Sequence, residues 1–374
     1  MPKSADVRKI MVVVGTRPEA IKLAPVILEL RRRSGFKTVV VATAQHREML
    51  DQVLDLFKIR PDTDLNLMTP NQTLFDVTAK AVKAFDRVMS TENPDAVLVQ
   101  GDTTTAFAGA LAGYYAQVKV GHVEAGLRTG NKYFPFPEEI NRKLVTVLSD
   151  FHFAPTESNR RNLLAEGVPE SAVTVTGNTV IDALLMTVDR KFEPKGFSLP
   201  DHERMILITA HRRENFGTPL ESIFLAINDL ARLYPRCLFV YPVHMNRNVH
   251  KPAHAILGKT GNVLLLPPLD YRTFSNLLAR AHLILTDSGG IQEEAPSLGK
   301  PVLVLRNETE RPEAVEAGTV KIVGPDRGRI VAETVNLLDH PDAYDRMARA
   351  MNPYGDGKAS IRIADFLEKE MKTA

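Results

Sequence analysis

Cysteine is nearly missing from this chain. Cys237 is the single one in 374 residues, so no disulfide can form within it. It opens the strand-like run 237–241, where a lone buried thiol acts as a small hydrophobe, and a reducing cytoplasm is the expected compartment. Long apolar runs are also lacking, so neither a secretion signal nor a membrane span is expected. No charge sign dominates: 47 Lys and Arg against 45 Asp and Glu leave +2. No basic block is interleaved with aromatics, which argues against nucleic acid as a partner. The cluster Arg31-Arg32-Arg33 reads as cations complementing the end of the first helix. Four catalytic signatures do not occur: the GxxxxGK[ST] phosphate loop, the GxGxxG dinucleotide fingerprint, the GxSxG elbow and HExxH. His250 and His254 are four apart, but no third ligand is near in sequence, so solvated histidines rather than a metal site are expected.

What is present is an alternation of buried strands and amphipathic helices. A length of 374 residues exceeds one typical core and suggests two domains. Strands are predicted at 9–14, 38–42, 96–100, 118–122, 152–154 and 173–176. Helices are predicted at 18–33, 46–57, 73–89, 103–115, 138–148 and from 157 onward. The stretch 192–201 lacks periodicity, holds two prolines and a glycine, and reads as a linker. Strands then restart at 205–209, 238–243, 263–266, 283–286, 302–305 and 320–323. Continuous Val/Ile/Leu runs indicate parallel strands covered by helices on both faces. The expected fold is α/β: two doubly wound, Rossmann-like domains facing each other across a cleft. The expected bounds are 1–191 and 192–357, with a helical tail at 358–374 that can pack back on the first domain.

In doubly wound sheets, ligands sit at the carboxyl ends of the strands, and the polar residues collect there. After the 283–286 strand comes DSGGIQEE, residues 287–294. Its two glycines let the backbone approach a ligand, and the helix start favours an anion. Glu294, one turn later, is placed to accept from ribose hydroxyls. After the first strand comes GTRPEAIK, 15–22, where Arg17 and Lys22 can reach a phosphate. QGDTTT, 100–105, contributes Asp102, which can equally serve as a helix cap. GHVEAGLR, 121–128, contributes Glu124 at a turn where neither helix nor strand requires a carboxylate. FPEEINR, 136–142, adds Glu138 at a helix start, where acids are also favoured for the dipole alone. HRRENFG, 211–217, with Arg306 and Arg311, supplies donors for an anion in the second half.

These segments, in this order, resemble the non-hydrolysing UDP-N-acetylglucosamine 2-epimerases, from Gly15 to about Gly357. The resemblance implies the GT-B fold, a homodimer, no cofactor, and interconversion of UDP-GlcNAc and UDP-ManNAc at sugar carbon 2. It implies that Asp102, Glu124 and Glu138 are the catalytic acids, with His211 beside them. Arg17, Lys22 and His211 would line the substrate and its diphosphate. Ser288, Gly289 and Gly290 would form the phosphate turn, with Glu294 on the ribose and Arg311 a further ligand. Phe274 and the backbone near Leu269 would form the uracil pocket. Family members often carry glutamine where this chain has Leu269, so only a backbone contact would survive there. Some bacterial members bind a second UDP-GlcNAc as an activator, and Gln45, Arg212 and His244 match that region. Glu48 stands where those members carry glutamine, and Asn71 where they carry arginine. Both changes disfavour a diphosphate, so weak activation by substrate is expected.

The chemistry suits these residues. Carbon 2 bears no adjacent carbonyl, so its proton becomes removable through transient oxidation or through departure of the anomeric group. The first route favours a dinucleotide fingerprint. The second needs a cradle for departing UDP and carboxylates near a developing cation, which the motifs offer. A hydrolysing 2-epimerase or a retaining glycosyltransferase of the same fold are the competing readings.

Overall fold

The computed structural model describes residues 7–43, 47–69 and 72–372, which divide into two compact units, Met1–Leu185 with Tyr354–Ala374, and Met186–Pro353. The first unit is built on β1 (Arg8–Val14), β2 (Phe36–Ala42), β3 (Thr63–Asp64), β4 (Ala96–Gln100), β5 (Lys119–Val123), β6 (Phe151–Ala154) and β7 (Val173–Val175). All are parallel, in the order β3-β2-β1-β4-β5-β6-β7. Between them run α1 (Arg17–Arg32), α2 (Arg47–Leu56), α3 (Leu74–Glu92), α4 (Thr104–Tyr115), α5 (Glu138–Leu148), α6 (Glu157–Ala165) and α7 (Thr179–Thr187). Ile10 to Val14 and Ala96 to Val99 are buried on both sheet faces. That explains why these strands carry unbroken apolar runs rather than alternation.

The second unit repeats the design with β8 (Arg204–Thr209), β9 (Cys237–Pro242), β10 (Val263–Leu266), β11 (Leu283–Thr286), β12 (Val302–Val304) and β13 (Val320–Ile322). Their order is β10-β9-β8-β11-β12-β13, again parallel throughout. Its helices are α8 (Thr218–Leu233), α9 (Arg247–Leu257), α10 (Tyr271–Arg280), α11 (Gly289–Glu294), α12 (Pro312–Glu316), α13 (Arg327–Asp339) and α14 (Pro341–Ala348). Each unit is thus a Rossmann-like doubly wound domain. In the first, the strand order reverses between β1 and β4, and in the second between β8 and β11. A reversal of this kind opens a crevice at the strand carboxyl ends.

The tail forms α15 (Ala359–Lys372) and packs on the first unit. Buried Asp182 of α7 accepts from the Ala359 and Ser360 amides and from the Ser360 hydroxyl, at 3.2, 2.8 and 2.6 Å. Phe366 meets Phe151 and Phe153 edge-on. Arg31 and Arg32 fall in the last turn of α1, as read from the sequence, while Arg33 is its C-cap residue and adds pairs with Glu29 of α1 and with Asp365 and Glu368 of α15. The units divide at 185/186 and 353/354, against the expected 191/192 and 357/358. Asn276 of α10 already binds the Thr187 carbonyl and the Asp189 amide, and the Tyr354 carbonyl accepts from Asn178 of the first unit. The two-residue β3 and the helix α7 had no counterpart among the predicted elements. Among the described residues no helix is long and apolar enough to cross a membrane.

Candidate active site

In the first unit the reversal point gathers the expected acids. Glu124 follows β5 directly, at φ +65. Left-handed backbone is uncommon for a side chain that is neither Asn nor Asp, and such strain, of order 1–3 kcal/mol, concentrates at functional sites. Its nearly buried carboxylate receives Lys22 Nζ on both oxygens at 2.6 Å. Gln100 at the end of β4 donates to one oxygen, and Asn178, after β7, donates to the other at 3.2 Å. Lys22 comes from the second turn of α1, so strand ends β1, β4, β5 and β7 converge on one carboxylate.

Asp102 sits two residues past β4, in the turn that leads to α4. Arg142 of α5 reaches it at 2.6 Å and also pairs with Glu139 at 3.0 Å. Asn141 donates to the Asp102 carbonyl at 2.9 Å. Glu139 is fully buried. Burial pushes its carboxyl up, but the Thr129 amide, Arg142 and the Gly130 amide outweigh that and hold it below its ordinary value. It therefore stays anionic and fixes Arg142. Neighbouring Glu138 opens α5 and has a buried Oε2 with no hydrogen-bond partner, an acceptor left open for something else. Arg17, half-buried at the start of α1, makes no ion pair or hydrogen bond among the described residues.

The second unit assembles donors at its own reversal point. Asp287, which ends the β11 segment, is fully buried and accepts from the backbone amides of His211 and Arg212, both at 2.7 Å, and from Asn215 at 3.2 Å. That fastens the loop after β8 against the DSGG turn. A side chain on Gly289 would lie 3.7 Å from the Arg212 guanidinium and 3.9 Å from that of Arg311. Two arginines thus flank the amide-rich start of α11, where the Ser288 hydroxyl makes no capping bond. Arg311 also pairs with Glu293. This combination suits a doubly charged anion. The His211 ring stacks on His244 at 5.3 Å, with its Nδ1 3.7 Å from Asp287. Burial lowers its pKa, Asp287 opposes this, and His244 and Arg212 reinforce it, so the net shift is downward and the ring is neutral at pH 7.

Glu294 is buried beside the turn and accepts from the Tyr271 hydroxyl at 3.0 Å. Tyr271 begins α10 between Leu269 and Phe274, both half-buried, so it links the candidate base-binding segment to the candidate ribose contact. Of the suggested activator residues, Gln45 and Asn71 lie outside the described residues. Glu48 is exposed in the first turn of α2, while Arg212 and His244 belong to the Gly289 cluster. The His250 and His254 rings stand 4.3 Å apart, and among the described residues no three His, Cys, Asp or Glu are placed to hold a metal.

Several supporting residues escaped the sequence reading: Gln100, Asn178, Glu139, Arg142, Asp287 and Tyr271. Gln100 and Asn178 obey the same strand-end rule as Asp102 and Glu124, and extending that rule to amides would have found them. Glu139 and Arg142 stand three apart on one helix, a spacing that also suits an ordinary surface ion pair, and the reach of Arg142 to Asp102, 40 positions back, carried no local signal.

The family model for UDP-N-acetylglucosamine 2-epimerase matches residues 28–368. The chain is 52% identical to the UDP-N-acetylglucosamine 2-epimerase of Neisseria meningitidis serogroup A, over 96% of this chain and 99% of that one. It is 53% identical to the Bacillus subtilis UDP-N-acetylglucosamine 2-epimerase, over 96% and 94%. A crystal structure of the Neisseria meningitidis UDP-GlcNAc 2-epimerase bound to UDP-GlcNAc superposes with a TM-score of 0.86 at 51% identity, covering 96% of this chain and all of that one. With the geometry of both reversal points, these similarities establish that the chain belongs to the UDP-N-acetylglucosamine 2-epimerase family.

Proposed function

We propose that this chain interconverts UDP-N-acetylglucosamine and UDP-N-acetylmannosamine without net hydrolysis, by eliminating and re-adding UDP. The observation that carries this is Glu124: a carboxylate on strained backbone, gripped by Lys22, Gln100 and Asn178, with Asp102 following the paired strand β4 and Glu138 leaving its Oε2 open. In the forward direction the bond from carbon 1 to the diphosphate oxygen breaks and carbon 2 loses its proton to a carboxylate. The products of that step are UDP and 2-acetamidoglucal. The reverse addition forms the same bond to carbon 1 while a carboxyl group delivers a proton to the other face of carbon 2. Atoms and charge balance with no external reagent.

In this scheme Arg212, Arg311, the amides at Ser288–Gly290 and neutral His211 stabilise the leaving diphosphate. Arg17 and Lys22 add positive charge, and Glu294 holds the ribose. Leu269 and Phe274 hold the uracil, the former through its backbone. Asp102, Glu124 and Glu138 share the proton transfers and stabilise the cation developing at carbon 1. Exposed apolar side chains on α3, α4 and α5, among them Phe75, Tyr115 and Val147, support self-association as a homodimer.

The test is incubation with UDP-GlcNAc alone in deuterium oxide, followed by NMR. UDP-ManNAc with deuterium at carbon 2 supports the proposal. Free N-acetylmannosamine and UDP would instead indicate a hydrolysing enzyme. Epimerisation with the carbon–oxygen bond intact, seen as no positional exchange of bridging oxygen-18, would refute elimination.

A further inference from the structure

Glu19 lies in the first turn of α1 and is the N3 residue of a capping box with Thr16. A capping box needs no burial. The corresponding box of α3, Thr73 with Asp76, sits on the surface, and among the described residues Asp76 hydrogen-bonds only to Thr73. Glu19, by contrast, is 1% exposed and reaches beyond its own helix. Oε2 accepts from the Gly15 and Thr16 amides at 3.0 and 2.5 Å, while Oε1 accepts from the Thr103 hydroxyl at 2.5 Å. Thr103 is itself the N-cap of α4, accepting from the Ala106 amide at 3.0 Å, and it directly follows Asp102. One carboxylate therefore joins the N-terminal turns of two helices that start at neighbouring strand ends.

The junction is tight. A side chain on Gly15 would meet the Thr105 and Thr43 hydroxyls at 2.5 and 2.7 Å, and those hydroxyls bond each other at 3.1 Å. Burying a carboxyl among such neighbours opposes its charge, and burial pushes Glu19 up to about 7 against the pull of its hydrogen bonds from Thr103, Thr16 and Gly15. A cap alone gives no reason to bear that cost.

We propose that Glu19 is a positioning residue, fastening the turn that carries Arg17 and leads to Lys22 onto the turn that carries Asp102. Glu19 touches no reacting atom in this arrangement. It sets where the base-line of the two turns lies, and through Lys22 where the Glu124 carboxylate is gripped. Its effect on turnover rests on the epimerase reading above, whereas the mechanical link between the turns does not.

The test uses Glu19→Gln, Thr103→Val, the double variant and Thr103→Ser in the full chain. Amide exchange reports the link: Glu19→Gln should speed exchange at 101–106 as well as at 15–19, and unchanged exchange at 101–106 would overturn the proposal. Steady-state kinetics with UDP-GlcNAc report the consequence. Each of Glu19→Gln and Thr103→Val should lower kcat about 10- to 100-fold with little change in KM, because displacing a catalytic group by about 1 Å costs on that order. The double variant should be no worse than either single one, and Thr103→Ser should stay near wild type. Additive losses, or a change confined to KM, would overturn it. Should Glu19→Gln fail to fold, Thr103→Val, which leaves the cap of α1 intact but removes that of α4, decides alone through exchange at 15–19, which should speed, and through kcat; unchanged exchange at 15–19 would overturn the proposal. A wild-type chain without epimerase activity would remove the functional reading but leave the exchange result decisive for the link.

Discussion

Two buried histidines make the first unit sensitive to acid, and the size of the effect follows from their surroundings. His122 and His152 are register partners on β5 and β6, exposed by 1% and 2%. The Nδ1 atoms of both are buried with no hydrogen-bond partner. His122 Nε2 bonds the Gly101 carbonyl at 2.8 Å. Burial pushes His122 down to about 3 and His152 down to about 4, from an ordinary 6.5. Below the ordinary value the unfolded chain takes up protons that the folded chain refuses, so stability falls as pH drops from about 6.5 toward the folded values. At 1.36 kcal/mol per unit, each ring costs roughly 2 kcal/mol at pH 5 relative to pH 7. Glu19 acts with the opposite sign. Its carboxyl, raised from 4.5 to about 7, takes up a proton in the folded state first, which returns roughly 2 kcal/mol over the same interval. These three groups together should therefore remove about 2 kcal/mol between pH 7 and pH 5. Replacing both histidines by glutamine should turn the loss into a gain of about 2 kcal/mol, and Glu19→Gln alone should deepen it to about 4 kcal/mol. Amide exchange at 120–123 measures opening of this unit without assuming that both units unfold together. An equal loss in wild type and the double histidine variant would refute this account of the buried rings.

Other expectations follow from the same geometry. Glu124→Gln and Asp102→Asn should lower turnover about 10²- to 10⁴-fold while UDP still binds, measured by calorimetry beside a kinetic assay; near-wild-type turnover in either would remove that residue from the catalytic set. Gly126→Ala places a methyl group 2.3 Å from the Asn159 carbonyl oxygen on backbone at φ +88, and should destabilise by at least about 2 kcal/mol in thermal unfolding; an unchanged melting point would contradict the packing. With Glu48 and Asn71 at their positions, turnover of UDP-ManNAc should be hyperbolic without added UDP-GlcNAc, and an absolute requirement for UDP-GlcNAc would count against that reading.

The predicted strands and helices matched closely where periodicity was long and punctuated. The strands 96–100, 263–266 and 283–286 and the helix 138–148 fall at the predicted bounds. Those segments are apolar runs or amphipathic helices bounded by turn residues, so local pattern and global fold agree. β3 escaped because two residues carry no pattern, and α1 ends one residue before the predicted Arg33, whose backbone is already extended. Glu124 was visible because it stands at a strand end where nothing local requires a carboxylate, whereas Asp102 and Glu138, open to reading as a cap and a helix-start acid, gained weight from the motifs around them. Their partners were not, since nothing in the local pattern ties Arg142 to Asp102 or Asn178 to Glu124, 40 and 54 positions away.

The order of residues by itself determined the alternation of strand and helix, the restart of that pattern in a second domain, and which polar side chains end up at strand termini. These depend on spacing along the chain, which tertiary contacts leave intact. Tertiary structure alone decided what each of those side chains is bound to: Glu124 on Lys22, Gln100 and Asn178, Asp102 on Arg142, Asp287 on two backbone amides, and Glu19 on the cap of another helix. Such partners meet only once parallel strands lie side by side, and burial at that meeting point then sets which carboxylates keep their charge.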